Sequence, residues 1–287
     1  MLKKRVARAV AWSLVVAVVV ALLAPARTMA AAVAIPDKGL ETALRETVQE
    51  PKAELTEEKL ANVSVLHAKG KKIKDLTGLE KCKNVTEIDL RDNEIADIAA
   101  IKGLTNLQHL ELSGNKITDI GAVAGLTKLQ RLDLSYNQIE KLDALAGLTA
   151  LTSLYLTDNK VKDIAVIGKL TKLNGHLCLD KNQIKDISVL ASVTKLTVLK
   201  LNDNQIEDLG ALSKQTELRR LLINGNPIKD LAPLVAACKA DAEGAKRFAP
   251  YLFLYVDEKT LPDEVRSKQL PALAGYGVRI NKEEHVK

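Results

Sequence analysis

An asparagine returns at almost constant spacing through most of this chain: Asn93, Asn115, Asn137, Asn159, Asn182, Asn204 and Asn226. The steps are 22, 22, 22, 23, 22 and 22 residues. Each asparagine closes the same pattern, as in Leu107-x-x-Leu110-x-Leu112-x-x-Asn115-x-Ile117-x-Asp119-Ile120. Two leucines two apart signal a strand, whose alternate side chains point to opposite faces. So short a strand needs a neighbour, and Leu132 and Leu134 of the next copy must lie beside Leu110 and Leu112. One copy cannot bury Leu107, Leu110, Leu112, Ile117, Ile120, Val123 and Leu126 by itself, whereas a stack can. The pattern predicts a parallel sheet along one side and return segments along the other. It leaves almost no chain for a separate catalytic domain.

The asparagine stands where the chain turns away from the strand. Its amide carries two donors and an acceptor. Buried in the turn, it can satisfy backbone groups of its own copy and of the adjacent one. An aspartate recurs just before the return segment, at Asp97, Asp119, Asp163, Asp186, Asp208 and Asp230. Aspartate there suits the amino-terminal cap of a short helical turn. Lys141 replaces it in one copy, where a weaker cap is expected.

The run Leu-x-x-Leu-x-Leu-x-x-Asn-x-Ile-x-Asp-Ile is similar to leucine-rich repeats of the short 22-residue class, shared by internalins and by the phosphatase-1 regulatory subunit. The resemblance covers about 63–262. It implies an α/β solenoid, a right-handed curved stack with a parallel β-sheet on the concave face and 3₁₀ or irregular turns on the convex side.

Both ends depart from the repeat. Lys3, Lys4, Arg5 and Arg8 precede an apolar run from Ala9 to Ala24 and then Pro25. This reads as a secretory signal peptide over 1–34, cleaved near Ala34 or Ala30. The run is shorter than the ~20 residues of a spanning helix; an uncleaved membrane anchor is the alternative. Residues 35–62 read as an amino-terminal helical cap, with Leu40, Ala43, Leu44 and Val48 at helical spacing, a stop at Pro51 and a second short helix capped by Thr56. Ile35-Pro36-Asp37 through Val65-Leu66 resembles the caps of secreted bacterial leucine-rich repeat proteins. In the first rung Lys71 stands in place of the asparagine.

After Asn226 the next matching strand is Leu254-Tyr255-Val256, and Lys259 stands 33 residues on, where 22 are expected. The surplus falls in an alanine-rich helical insertion at about 233–250. Residues 263–287 read as a carboxy-terminal cap, a helix and then a short extended tail. Arg266 through Leu273 with Gly277-Val278-Arg279-Ile280 resembles the closing segment of bacterial leucine-rich repeat proteins.

Removing residues 1–34 takes five of the 42 basic residues, leaving 37 against 36 acidic. The basic balance that would suggest nucleic acid disappears, and no membrane insertion is expected after cleavage. Cys82, Cys178 and Cys238 are an odd set in an exported chain. Cys82 and Cys178 stand four rungs apart, about 19 Å at ~4.8 Å per rung, beyond the ~7 Å reach of a disulfide. None is expected. His176 lies two residues from Cys178, yet no third group or oxyanion site accompanies them.

The register names the side chains of the concave face. The central outward column reads His67, Asp89, Glu111, Asp133, Tyr155, Cys178, Lys200, Leu222 and Tyr255. The column before it reads Val65, Glu87, His109, Arg131, Ser153, His176, Val198 and Arg220. The column after it reads Lys69, Arg91, Ser113, Ser135, Thr157, Asp180, Asn202 and Asn224. Partner contact is expected at Asp89, Glu111, Asp133, Arg131, Tyr155, His176, Cys178, Lys200, Leu222 and Tyr255. Asp89, Glu111 and Asp133 stack on adjacent rungs, which costs stability unless they are neutralised. Three neutralisers compete: Arg91 and Arg131, a basic partner, or a calcium ion, which needs six or more oxygens. Eight rungs of five-residue strands offer on the order of 600 Å², close to the ~800 Å² one partner contributes to a standard protein interface.

These features point to an exported, monomeric protein-interaction module, secreted or periplasmic. No catalysis, cofactor or resident metal is expected: His67, His109, His176 and His285 have no metal spacing, and no glycine-rich phosphate loop appears. The alternative is a cell-wall, glycan or cation-dependent surface binder, against which the low aromatic content argues.

Overall fold

The computed structural model describes residues 31–281. Positions 1–30 of the expected signal segment, Ala30 included, and His285 lie outside them. Residues from Ala32 onward form one unit around a ten-stranded sheet whose strands follow chain order without a crossover. The strands are β1 (Val65–His67), β2 (Glu87–Asp89), β3 (His109–Glu111), β4 (Arg131–Asp133), β5 (Ser153–Tyr155), β6 (His176–Cys178), β7 (Val198–Lys200), β8 (Arg220–Leu222), β9 (Phe253–Tyr255) and β10 (Arg279–Ile280). Every neighbouring pair is parallel. The middle residue of β1 to β9, from Leu66 through Leu254, is fully buried. Short 3₁₀ turns such as Ala99–Ile101 and Ser188–Ser192 make the opposite side. The architecture is a leucine-rich repeat solenoid.

The asparagine ladder lies inside. Asn115 Nδ2 donates to Leu90 O at 3.0 Å and Leu112 O at 2.9 Å, while its Oδ1 accepts from Ile95 N at 3.0 Å. Each amide thus ties its own rung to the one before it. The same contacts recur down to Asn226, which reaches Leu201 O, Ile223 O and Ile206 N. The residue before each ladder asparagine has a left-handed backbone, at Asp92, Gly114, Tyr136, Asp158, Lys181, Asp203 and Gly225. That kink turns the chain inward and lets the asparagine reach the core. Glycine and aspartate at most of these positions are the signal for it.

The recurrent aspartate acts one position earlier than expected. The residue flanking each turn is apolar, as at Ile98 and Ile120, and gives no side-chain cap. The preceding aspartate reaches over it: Asp97 Oδ1 accepts from Ala99 N and Asp119 Oδ1 from Gly121 N, both at 2.7 Å.

At the amino-terminal end, α1 (Lys38–Val48) and α2 (Glu57–Ala61) cover the first rung. Asp37 caps α1 through Gly39 N and Leu40 N. Its second oxygen accepts from Lys74 N at 2.8 Å and Asp75 N at 3.2 Å. The cap carboxylate therefore organises the turn whose rung carries Lys71 instead of asparagine. Helix α1 stops at Val48, with Gln49 left-handed, two residues before Pro51.

At the other end, the insertion holds α3 (Ala232–Glu243) and then a loop gathered by Asp241, which accepts from Arg247, Phe248 and Ala249 N. A π-turn, Val265–Gln269, leads into α4 (Leu270–Gly275). The tail, expected only to be extended, is the tenth strand, pairing Arg279 with Phe253 and Ile280 with Leu254. Asn281 ties this strand to β9, accepting from Val256 N at 3.0 Å and donating to Val256 O at 2.9 Å, and the pairing sets it level with Tyr255, off the ladder position. Phe253 and its partner Arg279 are 26 residues apart, so the 22-residue ruler ends before this rung.

Candidate binding face

Each strand turns its middle residue into the core and its two outer residues onto the sheet face. The pairing aligns the central column rung by rung: His67, Asp89, Glu111, Asp133, Tyr155, Cys178, Lys200, Leu222 and Tyr255. The preceding column aligns too, except between Ser153 and His176, where no pairing forms. That gap is the 23-residue step. Asn174 and Gly175 both donate to Thr152 O, and a Cβ on Gly175 would stand 2.5 Å from Ser153 Oγ and 3.0 Å from Thr152 O. Glycine lets the extra residue pass against the neighbouring strand.

The first four rungs carry paired charge. Arg91 grips Asp89 with two bonds, Nε–Oδ1 at 2.9 Å and Nη2–Oδ2 at 2.6 Å. Arg131 Nε donates to Glu111 Oε1 at 2.6 Å, with Arg91 Nε 4.0 Å from the other oxygen. His109 stands 3.6 Å from Glu87. The Arg91 bonds hold the Asp89 carboxyl below its ordinary range despite burial. Of the three neutralisers, local arginine accounts for Asp89 and Glu111. Among the described residues no group of three or more His, Cys, Asp or Glu is placed to hold a metal ion.

The middle rungs form a network. Arg131 lies over the Tyr155 ring, 4.3 Å from its centroid, and Nη1 donates to Tyr155 Oη at 2.6 Å. Tyr155 Oη also meets His176 Nδ1 at 2.7 Å. Burial, then the charges of Arg131, Lys200 and Arg220, push the His176 pKa down, which favours the neutral ring. Burial pushes Asp133 and Asp180 upward, although Ser135 N and Asn202 N donate to them.

Position in a column does not guarantee an open side chain. Asp89 and Cys178 face the sheet side yet are buried, at 8% and 4% exposure. Tyr155, Leu222 and Tyr255 are half-buried rather than exposed. Cys178 is pushed up to about 11 by burial, and Cys82 and Cys238 to about 12. All three cysteines are free and buried. His176 turns its Nδ1 to Tyr155, so Cys178 has no activating base there.

The last rungs differ. Strands β7 to β10 contain no Asp or Glu and present Lys200, Arg220 and Arg279 beside Leu222 and Tyr255. Arg279 stacks over Phe253 at 4.9 Å, and Arg219, entering β8, over Tyr251 at 5.5 Å. Tyr251 and Tyr136 are the exposed large apolar residues, each at 54%. Both sit on rims that the column pattern did not reach.

Family models for leucine-rich repeats match residues 81–102, 105–147, 127–170 and 175–214. The solved structure of internalin C2 from Listeria monocytogenes str. 4b F2365 is 33% identical over 69% of this chain and 88% of that one, with a TM-score of 0.67. This chain is an internalin-like leucine-rich repeat protein. Internalin F of the same strain is 26% identical, covering 86% of the internalin-like chain and 91% of its own, with a TM-score of 0.56. The plant peptide hormone receptor RGFR1, solved in complex with RGF2, shares the fold at 23% identity and a TM-score of 0.52, over 62% of this chain and 29% of the receptor. A search of curated proteins returns no significant match. Proteins of this repeat family are protein-interaction modules, and the internalin-like chain is one.

Proposed function

We propose that this protein is exported and binds a protein partner across its concave sheet face, without catalysing a reaction. One observation carries the reading: nine strands stack in register, so two columns of side chains stand beside the core without serving it. Partner contact falls to Asp133, Arg131, Tyr155, His176, Lys200, Leu222 and Tyr255, with Glu111 holding Arg131. Buried Asp89 and Cys178 support the surface from beneath. Proximity labelling on the exported chain would supply a purified candidate partner. Replacing Asp133, Tyr155 and Leu222 together by alanine is expected to abolish its binding while leaving the folded spectrum intact. Binding that survives all three changes refutes the face assignment.

Where the expected signal segment is cleaved, the cap bears on the position of the cut. Ala32 bridges Thr56, and Val33 N donates to Leu55 O at 2.7 Å. Cleavage after Ala30 keeps this strap on the cap, whereas cleavage after Ala34 discards it. Mass spectrometry of the exported chain is expected to find Ala31 first; a chain beginning at Ile35 would assign the strap no lasting role.

A further inference from the structure

The sheet face changes character at Gly175. Before it, four carboxylates on β2 to β4 stand among His109, Arg91 and Arg131. After it, strands β7 to β10 hold cations and apolar groups without a carboxylate; the column beside them carries Asn202, Asn224 and Asp257, whose carboxylate accepts from Lys259 N. Lys200 projects from the centre, half-buried. Asp180, on which the Lys200 charge acts, accepts from Asn202 N at 2.9 Å. Arg219 and Arg279 stack on Tyr251 and Phe253, which orients each guanidinium; Arg219 Nη1 donates to Leu218 O at 3.3 Å. Leu222, half-buried, lies between Lys200 and Tyr255 as an apolar floor.

We infer that this carboxy-terminal half of the face, at Lys200, Leu222 and Arg279 with Arg219 on its rim, receives an extended acidic peptide segment of the partner, with apolar side chains interleaved. The inference rests on the concave-face reading. Charge complementarity selects the acidic side chains: a low-dielectric floor beside three cations repels basic segments and attracts carboxylates. The floor at Leu222 and the rings of Phe253 and Tyr251 select for a peptide over a bare polyanion, since they reward apolar contact. Four rungs, β7 to β10, span roughly 14 Å, about four extended residues at ~3.3 Å each. The segment is therefore short.

The test uses the chain from Ala31 onward and a fluorescein-labelled peptide of about eight residues, alternating Glu and Leu, with Gln and Lys versions of the same length. Polarisation is expected to show the Glu peptide binding about tenfold or more tighter than the Gln peptide, an advantage that shrinks as salt rises. Lys200→Glu with Arg279→Glu is expected to remove that advantage. Lys200→Arg with Arg279→Lys is expected to restore it, and His67→Glu at the far end to leave it unchanged. Thermal melts of each variant separate lost binding from lost folding. Failure of the Glu peptide to bind, or a Gln or Lys peptide binding as tightly, overturns the inference. So does heparin binding more tightly than the Glu peptide and losing affinity in the same double variant, which would assign the patch to an anionic glycan. A double variant that retains affinity while His67→Glu loses it overturns the acidic assignment and leaves the concave-face reading standing. Glu-peptide affinity unchanged by every face variant overturns both.

Discussion

The two halves of the sheet face rest on the same ladder and share the same strand geometry, yet they handle charge in opposite ways. On β2 to β4 the carboxylates meet arginine within the protein, through the Asp89–Arg91 and Glu111–Arg131 bonds. At the other end two guanidiniums meet aromatic faces, Arg279 over Phe253 and Arg219 over Tyr251. A pair closed within the fold has already exchanged water for a partner and offers little to a ligand. A guanidinium laid on a ring keeps its donors for another acceptor. Charged residues are equally visible in both halves, but only one half has charge to offer.

The largest expected effect tests the common scaffold on which that contrast depends. Asn137→Ala orphans Ile117 N and takes one of two amide donors from Leu112 O and Leu134 O, which Asn115 and Asn159 still serve. Thermal or urea unfolding is expected to show a loss of about 1–3 kcal/mol, and Asn204→Ala in the other half a similar one. Markedly unequal losses would mean that the halves differ below the surface as well.

Next comes the contrast itself. Arg91→Ala leaves the buried Asp89 carboxylate without its cation and is expected to cost about 1–2 kcal/mol. Lys200→Ala is expected to stay within about 0.5 kcal/mol. Equal costs would break the distinction between closed and open charge.

The junction gives a third test. Gly175→Ala pushes a methyl group against Thr152 O and Ser153 Oγ, for an expected loss of about 1 kcal/mol. Ser153→Ala should recover part of it, since the hydroxyl is the nearer contact. Full tolerance would mean that the extra residue is loosely held.

The smallest effects are in pH dependence, and their signs oppose. Asp89 sits below its ordinary range, so its contribution is present above the unfolded pKa near 3.8 and fades as pH falls through the lower folded value. Asp89→Asn should therefore destabilise at neutral pH, with the deficit closing on acidification. Burial raises Asp133, so the folded state holds that carboxylate at a cost which is relieved as pH falls through the raised value. Asp133→Asn should stabilise at neutral pH, and that gain should also close on acidification. Melts of both variants between neutral and acid pH check the two signs. Deficits of the same sign would remove the separate treatment of these neighbouring carboxylates.

Much of this was legible in residue order. The 22-residue ruler named the ladder, the inward leucines and the columns of the face, because a stacked repeat converts sequence spacing directly into spatial neighbours. The 23-residue step located the junction, and Arg91 and Arg131 were visible as neutralisers. Other features were harder to read. The left-handed turn before each asparagine appears only as a preference for aspartate and glycine, and Tyr136 conceals it. Asp97 and its counterparts stand one residue before the cap position, which an apolar residue occupies.

Periodicity thus settled which residues are neighbours, since each repeat must bury the same positions against the next. It had no access to how deep a side chain lies once its neighbours lean over it, so Asp89 and Cys178 sink while Arg279 stays exposed. Nor did it place Asn281, whose strand returns to the sheet only after a helical detour. Depth and long-range closure depend on packing between segments distant in the chain. That packing decided which charges the protein keeps for itself and which it holds out.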